Sequence, residues 1–248
     1  MAYLNYFTKT EWTLWLASVS AILLSAFFFG EQAPLALIAS LIGVTALIFS
    51  AKANPIGQGL AIIFSLIYAY LSLLNSYYGE LITYLFMTLP MATLSLFTWL
   101  SHPFEDQTSQ VTISRLTTAD RLRLVVLTIL VTSLFYAILA YLKTAYLPVS
   151  TLSIATSFSA VYLSYKRSPY FALAYAFNDL VLILLWIYAA QADTSQYAVV
   201  ICFATFLIND IYTFFNWLDL QHRQEKKSIK KGRSLEVQSQ KLDVKSND

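Results

Sequence analysis

The sequence predicts an all-α integral membrane protein. Eight transmembrane helices form a 3+1+3 parallel triple-helix repeat behind one extra N-terminal helix. Three observations carry this reading. Of 248 residues, 58% are hydrophobic and only 12% charged, where a soluble domain carries about 25% charged residues. Eight segments reach the roughly 17–25 mostly apolar residues that cross a bilayer: 11–30, 34–52, 57–78, 81–100, 122–142, 147–166, 170–191 and 196–219. A proline and aromatic pattern in the second to fourth spans returns in the sixth to eighth.

The first span stands outside the repeat. Tyr3–Trp12 lacks the basic n-region and small-residue cleavage site of a signal peptide, so this span is expected to stay in the protein. Pro34 precedes the second span and Pro55 starts the third, 21 residues on; Pro148 and Pro169 repeat the spacing. Proline fits the first turn of a helix, where its missing N–H has no intrahelical partner to lose. The fourth and eighth spans end in aromatic runs closed by tryptophan, Leu96-Phe97-Thr98-Trp99 and Phe214-Phe215-Asn216-Trp217. Residues 34–100 thus answer to 147–219, and one linker helix over 122–142 makes the two triplets run in the same sense. Parallel repeats of this kind place a substrate at the repeat interface near the midplane. The stretch 101–121, with His102, Pro103, Glu105, Asp106 and Arg115, reads as a polar loop with a short surface helix opening at Thr118. Residues 1–220 make the transmembrane domain. Residues 221–248 make a basic tail, helical at first and then disordered.

Basic residues orient the bundle. One side collects Lys9, Lys52, Arg115, Arg121, Arg123, Lys166, Arg167 and the whole tail from Arg223, leaving only Lys143 opposite. Fifteen against one puts both termini in the cytoplasm of a plasma-membrane protein and supports an even number of spans. The net charge of +2 belongs to the tail, since eight of the 16 basic residues lie beyond Gln221. The tail reads as a topological anchor. The single Cys202 excludes an intrachain disulfide and a cysteine metal cluster. His102 and His222 have no clustered partner at ligand spacing, and no phosphate loop, zinc motif or nucleophile elbow is present. No metal, cofactor or catalytic residue is therefore expected.

Two acidic doublets interrupt the apolar spans, Asn178-Asp179 and Asn209-Asp210. A carboxylate at bilayer depth costs roughly 2.5–3.5 kcal/mol unless it faces protein or a wet cavity. The third span carries Gln58, Ser65, Tyr68, Ser72 and Asn75 at helical spacing; the fourth carries Tyr84, Thr88, Met91, Ser95 and Thr98. Asp179 and Trp186 share a face of the seventh span; Asn209, Thr213 and Asn216 line the eighth, with Asp210 and Trp217 beside them. Ser and Thr on such helices commonly serve packing, and Asp210 also reads as a structural cap. The candidate substrate-binding set is Asn178, Asp179, Trp186, Asn209, Asp210, Thr213, Gln58, Tyr68, Asn75, Tyr84 and Thr88. A carboxylate with an indole suits a flat cation, and equally a neutral nucleoside through ribose hydrogen bonds and base stacking. Trp99 and Trp217, near the helix ends, read as interfacial anchors.

The stretch from Gln58 to Trp99 resembles the first repeat of the PnuC nicotinamide riboside transporters, with Leu89-Pro90-Met91 followed by Trp99. In the second repeat YAFNDLVLILLW (175–186) and FLINDIYTFFNW (206–217) resemble the same family, and the likeness covers about residues 30–220. It implies a SWEET-like bundle importing the vitamin B3 riboside by facilitated diffusion for NAD metabolism. An intracellular kinase, making no direct contact, would trap the substrate. The resemblance puts Asn178 at the family's substrate-binding asparagine and Asn209 in its asparagine-bearing last helix. The chain departs at Ala174 and Phe171, where such carriers often have tryptophan, and at Ser95, where glycine is frequent. The doublets suggest a subfamily, so a deoxynucleoside, thiamine or riboflavin stands as alternative cargo. A lipid-modifying membrane enzyme and a sensor signalling through its tail are readings from other classes, opposed by the few isolated carboxylates and by the repeat with its polar cavity. Expected partners are a small molecule and the bilayer, not nucleic acid. Oligomeric state stays open, a homo-oligomer included.

Overall fold

The computed structural model describes residues 6–29, 34–74, 78–105, 107–144, 146–191 and 193–246. Its helices are α1 (Lys9–Phe29), α2 (Pro34–Ala51), α3 (Ile56–Leu74), α4 (Tyr78–Thr83), α5 (Leu89–Leu100), α6 (Thr118–Tyr141), α7 (Leu147–Tyr165), α8 (Tyr170–Ala190) and α9 (Tyr197–Ser246). A π-helical turn, Tyr84–Thr88, joins α4 to α5, so Gly79–Leu100 is one span, and among the described residues eight spans are long and apolar enough to cross a bilayer. The π turn sits before Pro90, which has no N–H to continue an α-helical ladder. The Leu89 N–H reaches back five residues to the Tyr84 carbonyl, and the Thr88 hydroxyl donates to the Thr83 carbonyl at 3.4 Å.

The two proline-marked turns are built alike. After α2, Ala53 takes a left-handed φ of 55°; after α7, Arg167 takes 54°. That conformation reverses the chain within four residues, and Pro55 and Pro169 then open α3 and α8. The close α2–α3 approach needs Gly57, where a Cβ would lie 2.3 Å from Ser50 Oγ. Helices α2 and α3, α7 and α8, and α8 and α9 form the main packed pairs, and α9 also lies on α1 and α2. The outer faces stay apolar and uncovered, most of all on α6 with Leu122, Val125, Ile129, Leu130 and Leu134 exposed. That is the surface lipid would cover.

Three features differ from expectation. Thr118 opens no separate surface helix. It begins α6 itself, capped by Thr117 and Asp120 in a reciprocal box that satisfies the first-turn N–H groups. The preceding loop instead folds as a hairpin, β1 (Pro103–Phe104) antiparallel to β2 (Gln107–Val111). Beyond residue 221, where a helical start followed by disorder is expected, the helix runs on to Ser246. Its charged residues continue the helix with i,i+4 support such as Arg223–Asp219 at 2.7 Å, and the hairpin holds it. Gln224 accepts from the Ile113 N–H at 2.9 Å and donates to the Val111 carbonyl at 3.0 Å, while Arg115 grips Glu225 with two bonds. The Glu225 carboxylate beside Arg115 pushes that guanidinium upward, although it is exposed.

Trp99 and Trp217 are not interfacial. Both are fully buried, 5.3 Å apart between ring centroids and packed on Phe171. The Trp99 indole N–H donates to the Ser164 carbonyl at 2.9 Å, and that of Trp217 to the Ser50 carbonyl at 2.8 Å. Ser164 ends α7 and Ser50 ends α2. Each half's closing tryptophan is thus bonded to the first helix of the other half. The sequence also conceals a buried ion pair: Glu11 in α1 accepts from Lys52 at 3.2 Å and from the Tyr212 hydroxyl at 3.3 Å. It fastens the extra helix to α2 and α9.

Candidate functional site

A cavity of about 720 Å³ runs between the two halves. At the end bearing the tail it stops at the buried Ser50, Gln58, Ser95 and Phe171, of which Ser50 and Phe171 touch the tryptophan pair. At the far end it is lined by Glu80, Tyr146, Tyr188, Gln196 and the exposed Asp193. Hydrogen bonds from Gln196 and Ser195 hold the Asp193 carboxyl below the usual carboxylate range, so this end keeps a negative charge.

Midway, Asn178 and Asp179 enter from α8 and Asp210 from α9. The Asn178 carbonyl accepts from the Thr156 hydroxyl at 2.8 Å and from Ser157 at 3.1 Å, both on α7. With its oxygen occupied, the asparagine has its amide N–H groups to offer a ligand. The two aspartates are buried and hydrogen-bond to each other through their carboxyl groups. Opposite them stands an aromatic wall. Phe64 and Tyr68 lie 4.6 Å apart, Tyr68 and Tyr84 lie 5.2 Å apart, and Phe206 meets Phe64 at 6.3 Å. Gly43 permits this wall, since a Cβ there would come within 2.8 Å of the Phe206 ring. Trp186 lines the cavity one helical turn from Leu182, toward the open end.

Of the residues singled out in the sequence, Gln58, Tyr68, Tyr84, Thr88, Asn178, Asp179, Trp186 and Asp210 all line this one cavity. Asn209 and Thr213 do not. The Asn209 amide donates to the Ser18 hydroxyl of α1 at 2.9 Å and to the Thr205 carbonyl at 2.8 Å, and Thr213 donates to the Asn209 carbonyl. A step of 100° per residue explains the split: Asp210 faces the cavity, so its neighbour Asn209 turns toward α1. Asn75 lies outside the described residues. Sequence reasoning missed Tyr175, Glu80, Phe64 and Ser157. Ser157 sits on α7, whose frequent hydroxyls hide any stripe, and Glu80 sits at a span end where a charge is unremarkable. Among the described residues, no group of three His, Cys, Asp or Glu could hold a metal ion, and no Lys, Arg or His lines the cavity.

A chamber between helices, largely apolar but carrying an amide and carboxyls at its middle, closed at one end and open at the other, is what a carrier of small solutes requires. Comparison with known proteins agrees. No curated protein matches the chain by sequence. The crystal structure of the vitamin B3 transporter PnuC superposes with a TM-score of 0.75 at 22% sequence identity, covering 88% of this chain and 94% of that one. The matches in family and in fold are to a membrane transporter rather than an enzyme. The family model described as nicotinamide mononucleotide transporter fits residues 33–219, so the chain belongs to the PnuC family of nicotinamide mononucleotide transporters.

Proposed function

We propose that the protein imports nicotinamide riboside across the plasma membrane by facilitated diffusion, with both termini cytoplasmic. The observation that carries this reading is the composition of the central cavity. It offers an amide donor at Asn178, two carboxyls at Asp179 and Asp210, and aromatic faces at Tyr68, Tyr84 and Trp186. The amide and carboxyls suit the carboxamide and ribose hydroxyls, and the aromatic faces suit a flat cationic ring. Gln58 and Thr88 add polar contacts nearer the sealed end. A phosphate finds no basic partner among the lining residues, so the riboside fits better than the mononucleotide of the family's description. The solved relative is a vitamin B3 transporter, which agrees with this choice.

The chamber is open on the side away from the tail, which in this orientation is the outside. Import then alternates this form with one in which the tryptophan seal parts and the outer mouth closes. The turns at Pro55 and Pro169 allow one triplet to rock against the other. Nothing in the cycle needs an imposed gradient; phosphorylation inside the cell keeps the flux inward. The test is uptake into proteoliposomes, with the riboside, its 5′-phosphate, deoxynucleosides, thiamine and riboflavin competing in turn. The riboside should enter without any gradient and lose to unlabelled riboside, not to its phosphate. Uptake of another member of the panel in its place, or none of the riboside, would overturn the reading.

A further inference from the structure

The Asp179–Asp210 pair poses a charge problem that substrate recognition alone does not solve. The two carboxyls meet across the α8–α9 contact, 3% and 2% exposed. Asp179 Oδ2 and Asp210 Oδ1 are buried without any hydrogen-bond partner. Two carboxyl groups can hydrogen-bond to each other only if one of them keeps a proton, and like charges in contact cannot both persist in a site of low dielectric. Among the described residues the surroundings supply no cation. Tyr175 faces the pair from α8, Tyr84 from the π turn and Cys202 from α9, with Tyr68 of α3 and Glu80 of α4 beyond them. Helices α2 and α5 contain no titratable side chain. The α7 groups at this level are the hydroxyls of Thr156 and Ser157, and the Glu11 of α1 is engaged with Lys52. Every neighbour is thus an acid or a neutral hydroxyl or thiol.

We infer that the pair is a single-charge site for which a proton and a monocationic organic ring compete. With one proton retained between them, the carboxyls carry one negative charge, matched to one positive charge. A second proton neutralises the pair and removes its attraction for a cation. The inference rests on the reading of this cavity as the substrate site. It adds that the site selects a planar monocation and that binding is proton-linked.

The sign follows from competition: cation affinity is full where the second proton is absent and falls as acid supplies it. The experiment is calorimetric binding to the full chain over a range of pH. It uses nicotinamide riboside, whose pyridinium is cationic, and its benzamide C-riboside analogue, whose benzene ring is neutral. The cation's affinity should fall by up to about tenfold per pH unit on the acid limb, with proton release in buffers of differing ionisation enthalpy. The analogue should stay flat. The double variant Asp179→Asn with Asp210→Asn should bind both ligands alike at every pH, and its binding of the analogue shows that it is folded. If that variant does not fold, the wild-type comparison still decides. Binding of neither ligand by the wild type would remove the proposed function itself. Binding of both with the same pH-independent affinity would overturn this inference alone. So would an affinity that follows sodium concentration and ignores pH, which would assign the pair to that ion.

Discussion

Individual side chains divide here into those that face the chamber and those that hold it. Asn178 belongs to the first group, fixed by two α7 hydroxyls. Removing it leaves the Ser157 hydroxyl and the ligand short of a partner, at about 1–3 kcal/mol, or roughly 5–150-fold in affinity. Asn178→Ala and Trp186→Ala are therefore expected to weaken riboside binding by that order while the purified protein stays monodisperse. Calorimetry on each variant checks this, and wild-type affinity in both would discard them as ligand contacts. Trp99 and Trp217 belong to the second group. Replacing either by Phe removes the bond that joins the halves but leaves the carbonyl its turn partner, the N–H of Arg167 or of Ala53, and should cost about 0.5–1.5 kcal/mol, read as a lower thermal midpoint in detergent. The doublets were legible in the sequence because a carboxylate in an apolar span demands a partner. Which member of each doublet faces the ligand was not, since a one-residue step rotates a side chain by 100° and only the neighbouring helix decides which face is inner. Asn178 and Asp179 both reach the cavity at its edge, whereas Asn209 is claimed by Ser18.

At the level of elements, spans and proline turns were readable because length, hydropathy and missing N–H groups are local properties. The hairpin at 103–111 and the helical tail were not, because each is stabilised by the other. The main chain of the loop is bonded to the ends of both turns, Val111 N–H to the Ala53 carbonyl and Ser114 N–H to the Arg167 carbonyl. The same loop receives Gln224 from α9. Gln224→Ala leaves a buried N–H and a buried carbonyl unsatisfied, so it should destabilise this face by about 1–3 kcal/mol and speed amide exchange at Ile113. Arg115→Ala, which breaks an exposed ion pair, should change the exchange far less. Hydrogen exchange followed by mass spectrometry separates the two. Equal effects would mean that the surface pair, not the buried glutamine, joins hairpin to tail.

For the whole molecule the first question is orientation. Fifteen basic residues on one side predict that a cysteine placed at Gln238 is shielded from an impermeant thiol reagent in intact cells and that one at Asp193 is labelled. Cys202, being buried, should give no background. Labelling of both positions from outside would break the proposed topology, and labelling of Gln238 alone would reverse it. The exchanged tryptophan bonds bear on a different matter, the tightness of the barrier. Neither half can retreat from the seal by itself, because its last helix is held by the other half and its first helix holds the other's. If losing one bond costs about 0.5–1.5 kcal/mol, it occurs in roughly one molecule in 2 to one in 13. Losing both independently occurs in about one in 5 to one in 150. Two bonds thus hold the barrier shut more often than either would alone, which would limit ion leakage while the carrier waits empty.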